Sequence, residues 1–303
     1  MIFKKNNIKN LIRALRLPFI SVSIFPFIFG SLIERSNFNF LGFIFGLLAV
    51  VATHLSSNLI NDYADSKSGA DWQDKNFYKF FGGSKLIQKG VFLEKFYFNL
   101  AILFLSIAVI SVLLLSFFTR RLITILFYIL IIILSWSYSE KPLQFSYRRL
   151  GELIIFIIFG PALVMGGYFI QSGIFPDLKS FMLSLPFGFF TTIILFVNEV
   201  PDFIEDQKVG KLNWVSILGV KNSFLIYYFL VFFGFLVILI DIILKYLNII
   251  ALSSFLLILP AIKAGIILKE YPLDKKQLIK SSKLAIMIHF FISIILIFTI
   301  LYE

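Results

Sequence analysis

Runs of about twenty apolar residues recur along the whole chain, and a chain built this way has few folds open to it. They cover 17–33, 39–60, 97–118, 122–137, 150–171, 180–198, 222–243, 248–268 and 284–302, each close to what an α-helix needs to cross a bilayer core of about 30 Å. Backbone polar groups in lipid must be satisfied within their own segment, so the runs predict helices. The expectation is an all-α, polytopic membrane protein with nine transmembrane helices in a single domain over 1–303. A soluble domain is excluded by 59% hydrophobic and only 15% charged residues. The absence of cysteine removes disulfides, thiolate metal ligands and cysteine nucleophiles. His54 and His289 lie in different runs, too few for a zinc or haem site, and are expected to pack or to hydrogen-bond between helices.

Charge orients the helices. With the N-terminus cytoplasmic, the segments 1–16, 61–96, 138–149, 200–221 and 269–283 collect 22 lysines and arginines, against five on the other face. This asymmetry is the positive-inside signature and predicts where the long loops lie. The net charge of +11 is then a topology signal with some attraction to anionic lipid, and nucleic acid is not expected as a partner.

Acidic residues depart from the pattern in two places, each directly after an apolar run. Asn198, Asp202 and Asp206 stand four apart, as do Asn61 and Asp65, with Asp62 beside them and Asp71 just beyond. On helices these spacings form columns of oxygen ligands. The plain alternative is a solvated helix end paired with Lys67, Lys208 or Lys211. Two columns at two cytoplasmic ends favour Mg²⁺, which prefers hard oxygen donors, and a diphosphate held between them. The apolar, Phe-rich surroundings suit a hydrocarbon tail on that diphosphate. Gly82-Gly83-Ser84-Lys85 lacks the spacing of a nucleotide phosphate loop, but it offers flexible backbone near an anion. An anion transporter would place its charges near the midplane rather than at the ends.

The stretches Asn61-Asp62-Tyr63-Ala64-Asp65-Ser66-Lys67-Ser68-Gly69-Ala70-Asp71 and Asn198 to Asp206 resemble the two Asp-rich motifs of the UbiA superfamily of intramembrane aromatic prenyltransferases. Gly69, where the family often has Asp, and the Gly82–Gly90 stretch are similar to the 1,4-dihydroxy-2-naphthoate polyprenyltransferases of menaquinone synthesis. Tyr138-Ser139, Pro142-Leu143, Gly151-Glu152 and Phe159-Gly160-Pro161-Ala162 add to the likeness. Leu212-Asn213-Trp214 departs from the Arg-Thr-Leu common in the family.

The resemblance implies a helical bundle whose central cavity opens to the cytoplasmic loops of a bacterial inner membrane protein. It implies Mg²⁺ at Asp62, Asp65, Asp202 and Asp206, with Asn61 and Asn198 as ligands or orienting groups. The donor would be a polyprenyl diphosphate, contacted by Tyr138, Lys141 and Lys85. The acceptor would be aromatic, 1,4-dihydroxy-2-naphthoate first, with 4-hydroxybenzoate, homogentisate, haem or a chlorophyllide as alternatives. Arg148 and Arg149 are assigned to topology, Glu152 to the positive end of a helix, and Asp241 to an outer-face ion pair with Lys245.

Overall fold

A computed structural model describes residues 5–36, 38–70, 72 and 74–302; Asp71 lies outside the described residues. Among them the chain is helix and loop, with one isolated bridge between Arg148 and Leu212. Helix α1 (Lys5–Ala14) passes through a tight turn at Leu17–Phe19 into α2 (Ser21–Leu32). Then follow α3 (Phe40–Ser68), α4 (Glu94–Thr119), α5 (Ile123–Ser137), α6 (Gly151–Ser172), α7 (Leu178–Glu199) and the short α8 (Phe203–Lys208). The bundle closes with α9 (Ser223–Ile243), α10 (Ile258–Glu270, entered through a 3₁₀ segment at Ile249–Leu257) and α11 (Lys275–Leu301).

Seven helices among the described residues are long and apolar enough to cross a membrane, and eight if the pair bent by 46° at the α1–α2 turn is one span. The run 122–137 forms α5, whose 15 residues are short for a crossing. It does form a hairpin with α4: Arg120 takes a left-handed φ of 54°, and Arg121 turns back to donate to the Ile170 carbonyl at 2.8 Å. Asn39, Asp177 and Asp274 cap α3, α7 and α11, their side chains accepting N–H groups of the first turn that have no intrahelical partner.

Helix α7 is the axis of the bundle. Of its apolar stretch 72% is buried inside the protein, against 28% for Ile249–Glu270 on the periphery. It packs on α6, α9 and α11, while α2 packs on α3, α6 and α11. Small residues permit these close crossings. Gly30 of α2 faces the Val164 backbone, Gly167 of α6 faces the Phe27 carbonyl, and Gly160 meets Gly188.

The expected Asp241–Lys245 pair does not form. Asp241 is turned inward and fully buried, and both its carboxylate oxygens lack a partner among the described residues. The four-residue spacing brings two side chains together only within a continuous helix. Here α9 ends at Ile243, and Lys245 sits past it with a left-handed φ of 58°.

Candidate active site

Both acidic stretches end helices in the same way. Gly69 at the end of α3 takes φ 87°, with its own N–H and that of Ala70 bonded to the Asp65 carbonyl. Gly210 takes φ 74°, and the N–H groups of Gly210 and Lys211 bond to the carbonyls of Gln207 and Asp206. These are glycine-terminated helix ends in which a left-handed residue satisfies the last carbonyls, so Asp65 and Asp206 occupy equivalent places four residues before the glycine. Glycine at 69 enters this left-handed conformation without the Cβ contact that most other residues would make. Carboxylates near the negative end of a helix are disfavoured unless cations reach them.

The second column is not one continuous helix. Asn61, Asp62 and Asp65 do share α3, but α7 stops at Glu199, the chain turns through Val200–Asp202, and Asp206 lies on α8. Pro201 supplies the break: it has no N–H, and its ring would clash with a carbonyl one turn back. Asn198, Asp202 and Asp206 therefore come from a helix end, a turn and a second helix.

Three groups join the two stretches. Lys211 Nζ lies 3.5 Å from Asp65 Oδ1 and 3.7 Å from Asp206 Oδ1, bridging α3 to α8. The Gly82 N–H donates to Asp202 Oδ2 at 2.7 Å, and the Ser84 N–H to Asp62 Oδ2 at 3.2 Å. The 82–84 backbone thus binds both acidic stretches. Gly82 and Gly83 adopt φ values of 71° and 68° to present those donors. Arg16, just after α1, pairs with Asp62 Oδ1, while Arg13 Nε holds the Ser84 carbonyl at 2.6 Å. Lys85 is buried and lines a small pocket with Asp202, Asp206, Glu205, Asp74 and Lys275.

The charges are mutually supporting. Burial works against the Lys211 ammonium, but the Asp206 and Asp65 carboxylates outweigh it and hold its pKa well above the usual value. Tyr138 is held as the neutral phenol, its pKa raised by burial and by the Glu199 carboxyl nearby. Asp74 accepts from the Asn76 N–H, Tyr78 and Lys275. Burial would raise its pKa, yet these bonds bring it down to about 2.

Asp74 thereby carries a testable pH dependence. A depressed carboxylate adds stability that is present above its unfolded pKa, near 4, and is lost as the pH falls through about 2. Thermal unfolding of Asp74→Asn measured downward from about pH 5 should lose less stability than wild type over that window. Equal acid slopes would show that Lys275 gains nothing from Asp74. Lys275 also contacts Glu205 at 3.1 Å, so it ties the 70s loop to α8 and α11.

An apolar cavity of about 310 Å³ begins beside this cluster. Arg16, Asn61 and Tyr138 line its acidic end, and its wall follows α3 as far as Gly46, about 22 Å along the helix axis. Phe27, Leu115, Phe127 and Ile170 line the distant part.

Of the residues expected from sequence, Asp65 and Asp206 meet at Lys211, and Asp62 and Asp202 meet through the 82–84 backbone. Asn61 Nδ2 donates to Ser139 at 2.9 Å, and Asn198 Oδ1 is buried without a hydrogen-bond partner among the described residues. Tyr138 lines the cavity, whereas Lys141 is exposed on the loop beyond it. Among the described residues no three carboxylates or imidazoles stand close enough to hold a metal together; Arg16 pairs with Asp62, and Lys211 lies between Asp65 and Asp206. The donor set nevertheless suits a hard cation: it is all oxygen, and Asn198 Oδ1 is buried without a hydrogen bond among the described residues, while Asp65 Oδ1 has only the Lys211 ammonium at 3.5 Å.

Sequence reasoning offered Lys211 only as a counter-ion at a solvated helix end, where it does pair with Asp206 but also reaches Asp65; it missed Arg16 and the partners of Glu152. Glu152 is fully buried, accepts the Trp214 backbone N–H and shares a hydrogen bond with Glu199. Arg149 likewise has a structural task, its N–H donating to the Leu212 carbonyl at 2.9 Å. Both pin the 212–214 segment against α6.

Among known proteins, the UbiA prenyltransferase domain-containing protein 1 of Xenopus tropicalis is 27% identical over 74% of this chain and 64% of its own length. The 2-carboxy-1,4-naphthoquinone phytyltransferase of Synechocystis is 28% identical over 69% of this chain and 66% of that protein. The Dictyostelium discoideum protein of the former name is 34% identical, over 34% of this chain and 31% of its own. The chain thus spans less than two thirds of the length of these relatives. The fold is shared with the apo structure of a UbiA homolog from Aeropyrum pernix K1, at a TM-score of 0.71 and 17% identity over 92% of this chain and 97% of that one. It is shared as well with a UbiA homolog from Archaeoglobus fulgidus bound to DMAPP and Mg²⁺, at 0.64 and 16% over 93% and 98%. The UbiA prenyltransferase family model matches residues 23–295, a range that contains both acidic stretches and the cavity, and the chain belongs to that family.

Proposed function

We propose that this membrane protein transfers a polyprenyl group from its diphosphate to an aromatic acceptor, 1,4-dihydroxy-2-naphthoate first, giving a menaquinone precursor. The observation that carries this reading is the junction of two facing acidic stretches, cross-linked by Lys211 and the 82–84 backbone, with an apolar cavity. A diphosphate with a hydrocarbon tail is the ligand that fits both parts. The likeness to a naphthoquinone phytyltransferase, and to a 1,4-dihydroxy-2-naphthoate octaprenyltransferase of Haemophilus influenzae at 25% identity, supports the acceptor.

Asp62, Asp65, Asp202 and Asp206, with Asn61 and Asn198, are the oxygen groups that would hold Mg²⁺. Bound there, the metal supplies Lewis acidity to the leaving diphosphate, worth several kcal/mol. Arg16, Lys85 and Lys211 would take the remaining phosphate charge, with Arg16 placed where the acidic cluster meets the cavity. The allylic carbon–oxygen bond breaks, its electron pair leaving on the diphosphate. The ring of the acceptor then attacks the allylic cation, forming the new carbon–carbon bond, and carbon dioxide departs from the ring. The apolar wall keeps water from the cation, and aromatic faces such as Tyr138 and Phe159 stabilise it by about 1–2 kcal/mol each. With α5 counted as a ninth crossing, the positive-inside asymmetry turns the acidic cluster to the cytoplasm.

The test is an assay of purified protein in detergent with Mg²⁺, a labelled polyprenyl diphosphate and either 1,4-dihydroxy-2-naphthoate or 4-hydroxybenzoate. The expected product, read by mass spectrometry, is a prenylated naphthoquinol lacking the carboxyl carbon. Product from 4-hydroxybenzoate alone would reassign the acceptor, and no product from either would sink the reading.

A further inference from the structure

A histidine stands in the wall of the apolar cavity without a role in the chemistry above. His54 lies on α3, seven residues or about 10 Å deeper than Asn61 along the helix. It lines the cavity and is only 8% exposed, and its Nδ1 has no hydrogen-bond partner among the described residues. Packing explains one side of the ring, since Phe159 meets it edge-on with centroids 5.7 Å apart. It does not explain why imidazole is retained where Phe or Leu would fill the same space. A buried polar group left unsatisfied costs free energy that an apolar replacement would not. Ionisable residues within membrane spans mark ligand or ion paths by default.

Two further features single out this depth of the cavity. Thr53 and Tyr128 bond to each other at 2.7 Å beside His54, and all three line the cavity, so polar side chains gather at this depth of a mainly apolar wall. On the opposite wall α6 loses its regular α-form: residues Ile158–Ala162, including Phe159, make a π-turn. Such turns concentrate at functional sites because they redirect side chains within a helix. A pure polyprenyl tail has no group for such a band. The acceptor ring can supply one: its two hydroxyls lie on the same ring as the reacting carbon, so with that carbon turned toward the acidic end the hydroxyl not adjacent to it points toward the band.

Building on the proposed function, we infer that His54 selects the acceptor by hydrogen-bonding to a hydroxyl of its ring, between the edge of Phe159 and the Thr53–Tyr128 pair. Pockets of this kind are mostly apolar, with a few polar groups that set orientation. A site built to bond a hydroxyl discriminates against the analogue lacking it, because its own polar group is then left unpaired. His54 is a specificity residue and leaves the diphosphate end of the site untouched.

Binding measured without turnover separates this inference from the catalytic reading. Equilibrium binding of 4-hydroxy-2-naphthoate and of 2-naphthoate would be compared on wild type, His54→Phe and His54→Gln in detergent. Wild type should prefer the hydroxylated ring about tenfold, the worth of one hydrogen bond. His54→Phe should reduce that preference to within about twofold, and His54→Gln, which can still bond, should keep part of it. The protection from thermal unfolding by inorganic diphosphate with Mg²⁺, which has no tail to enter the cavity, should be the same for all three proteins, which also shows that they are folded. A preference that is absent in wild type, or that survives in His54→Phe, would overturn the inference. An unchanged binding pattern in a protein that forms no prenylated product would overturn the catalytic reading alone.

Discussion

Asp202→Asn and Asp206→Asn should each lower prenyl transfer roughly a thousandfold while leaving a folded protein, because each removes a negative oxygen from the set proposed to hold Mg²⁺, whose effect is worth several kcal/mol. The substitutions keep side-chain shape. In the first variant the new amide oxygen could still accept the Gly82 N–H, and in the second Asp65 would continue to pair with Lys211. Thermal stability should therefore stay within a few degrees of wild type, and initial rates at saturating Mg²⁺ are the measurement. Rates near wild type in both variants would show that the acidic stretches are helix ends with counter-ions and nothing more.

Gly30→Val should have the largest effect on folding. A Cβ at Gly30 would stand 2.0 Å from the Val164 carbonyl oxygen, a contact with backbone that no rotamer relieves. Overpacking of a close-packed core costs about 1–3 kcal/mol, and more when backbone must move. A Cβ at Gly167 would likewise stand only 2.6 Å from the Phe27 carbonyl oxygen, so α2 and α6 are already in close backbone contact at a second point of the crossing and have little slack to take up the new side chain. The expected outcome is a lost or strongly lowered melting transition and poor recovery from membranes. Gly166→Ala is the control. Nothing lies within 4 Å of a Cβ there, and the residue faces the cavity. Its melting temperature should match or slightly exceed wild type, since alanine is the better helix former, and an equal loss in both variants would mean that the close contact at Gly30 is not what the protein depends on at this crossing.

The acidic residues were legible in the sequence because the signal is local: charge directly after an apolar run, at a spacing a helix can align. Lys85 was legible through its glycine-rich surroundings. Lys141 has the same kind of motif support, yet it ends up exposed, since the distance of a loop residue from a site depends on the path of the backbone. Arg16 and Lys211 carry no periodic mark at all. Lys211 reaches Asp65, from which it is far in sequence, only because Gly210 reverses the chain at the end of α8. His54 differs again: its type was visible, but whether its helix face met lipid, protein or a cavity was not.

By itself the sequence determined an all-α membrane protein, the course of most spans and the helix ends where charge collects. Each of these follows from hydrophobic length, from backbone satisfaction in lipid and from glycine or proline acting on its own neighbours. Tertiary structure alone decided that the two acidic stretches face each other and that Asp241 points inward. It also decided that a cavity lies against the acidic cluster. Those outcomes depend on how α2, α6 and α7 rotate and approach one another, which is set by close backbone contacts at Gly30, Gly160 and Gly167 between segments far apart in the chain.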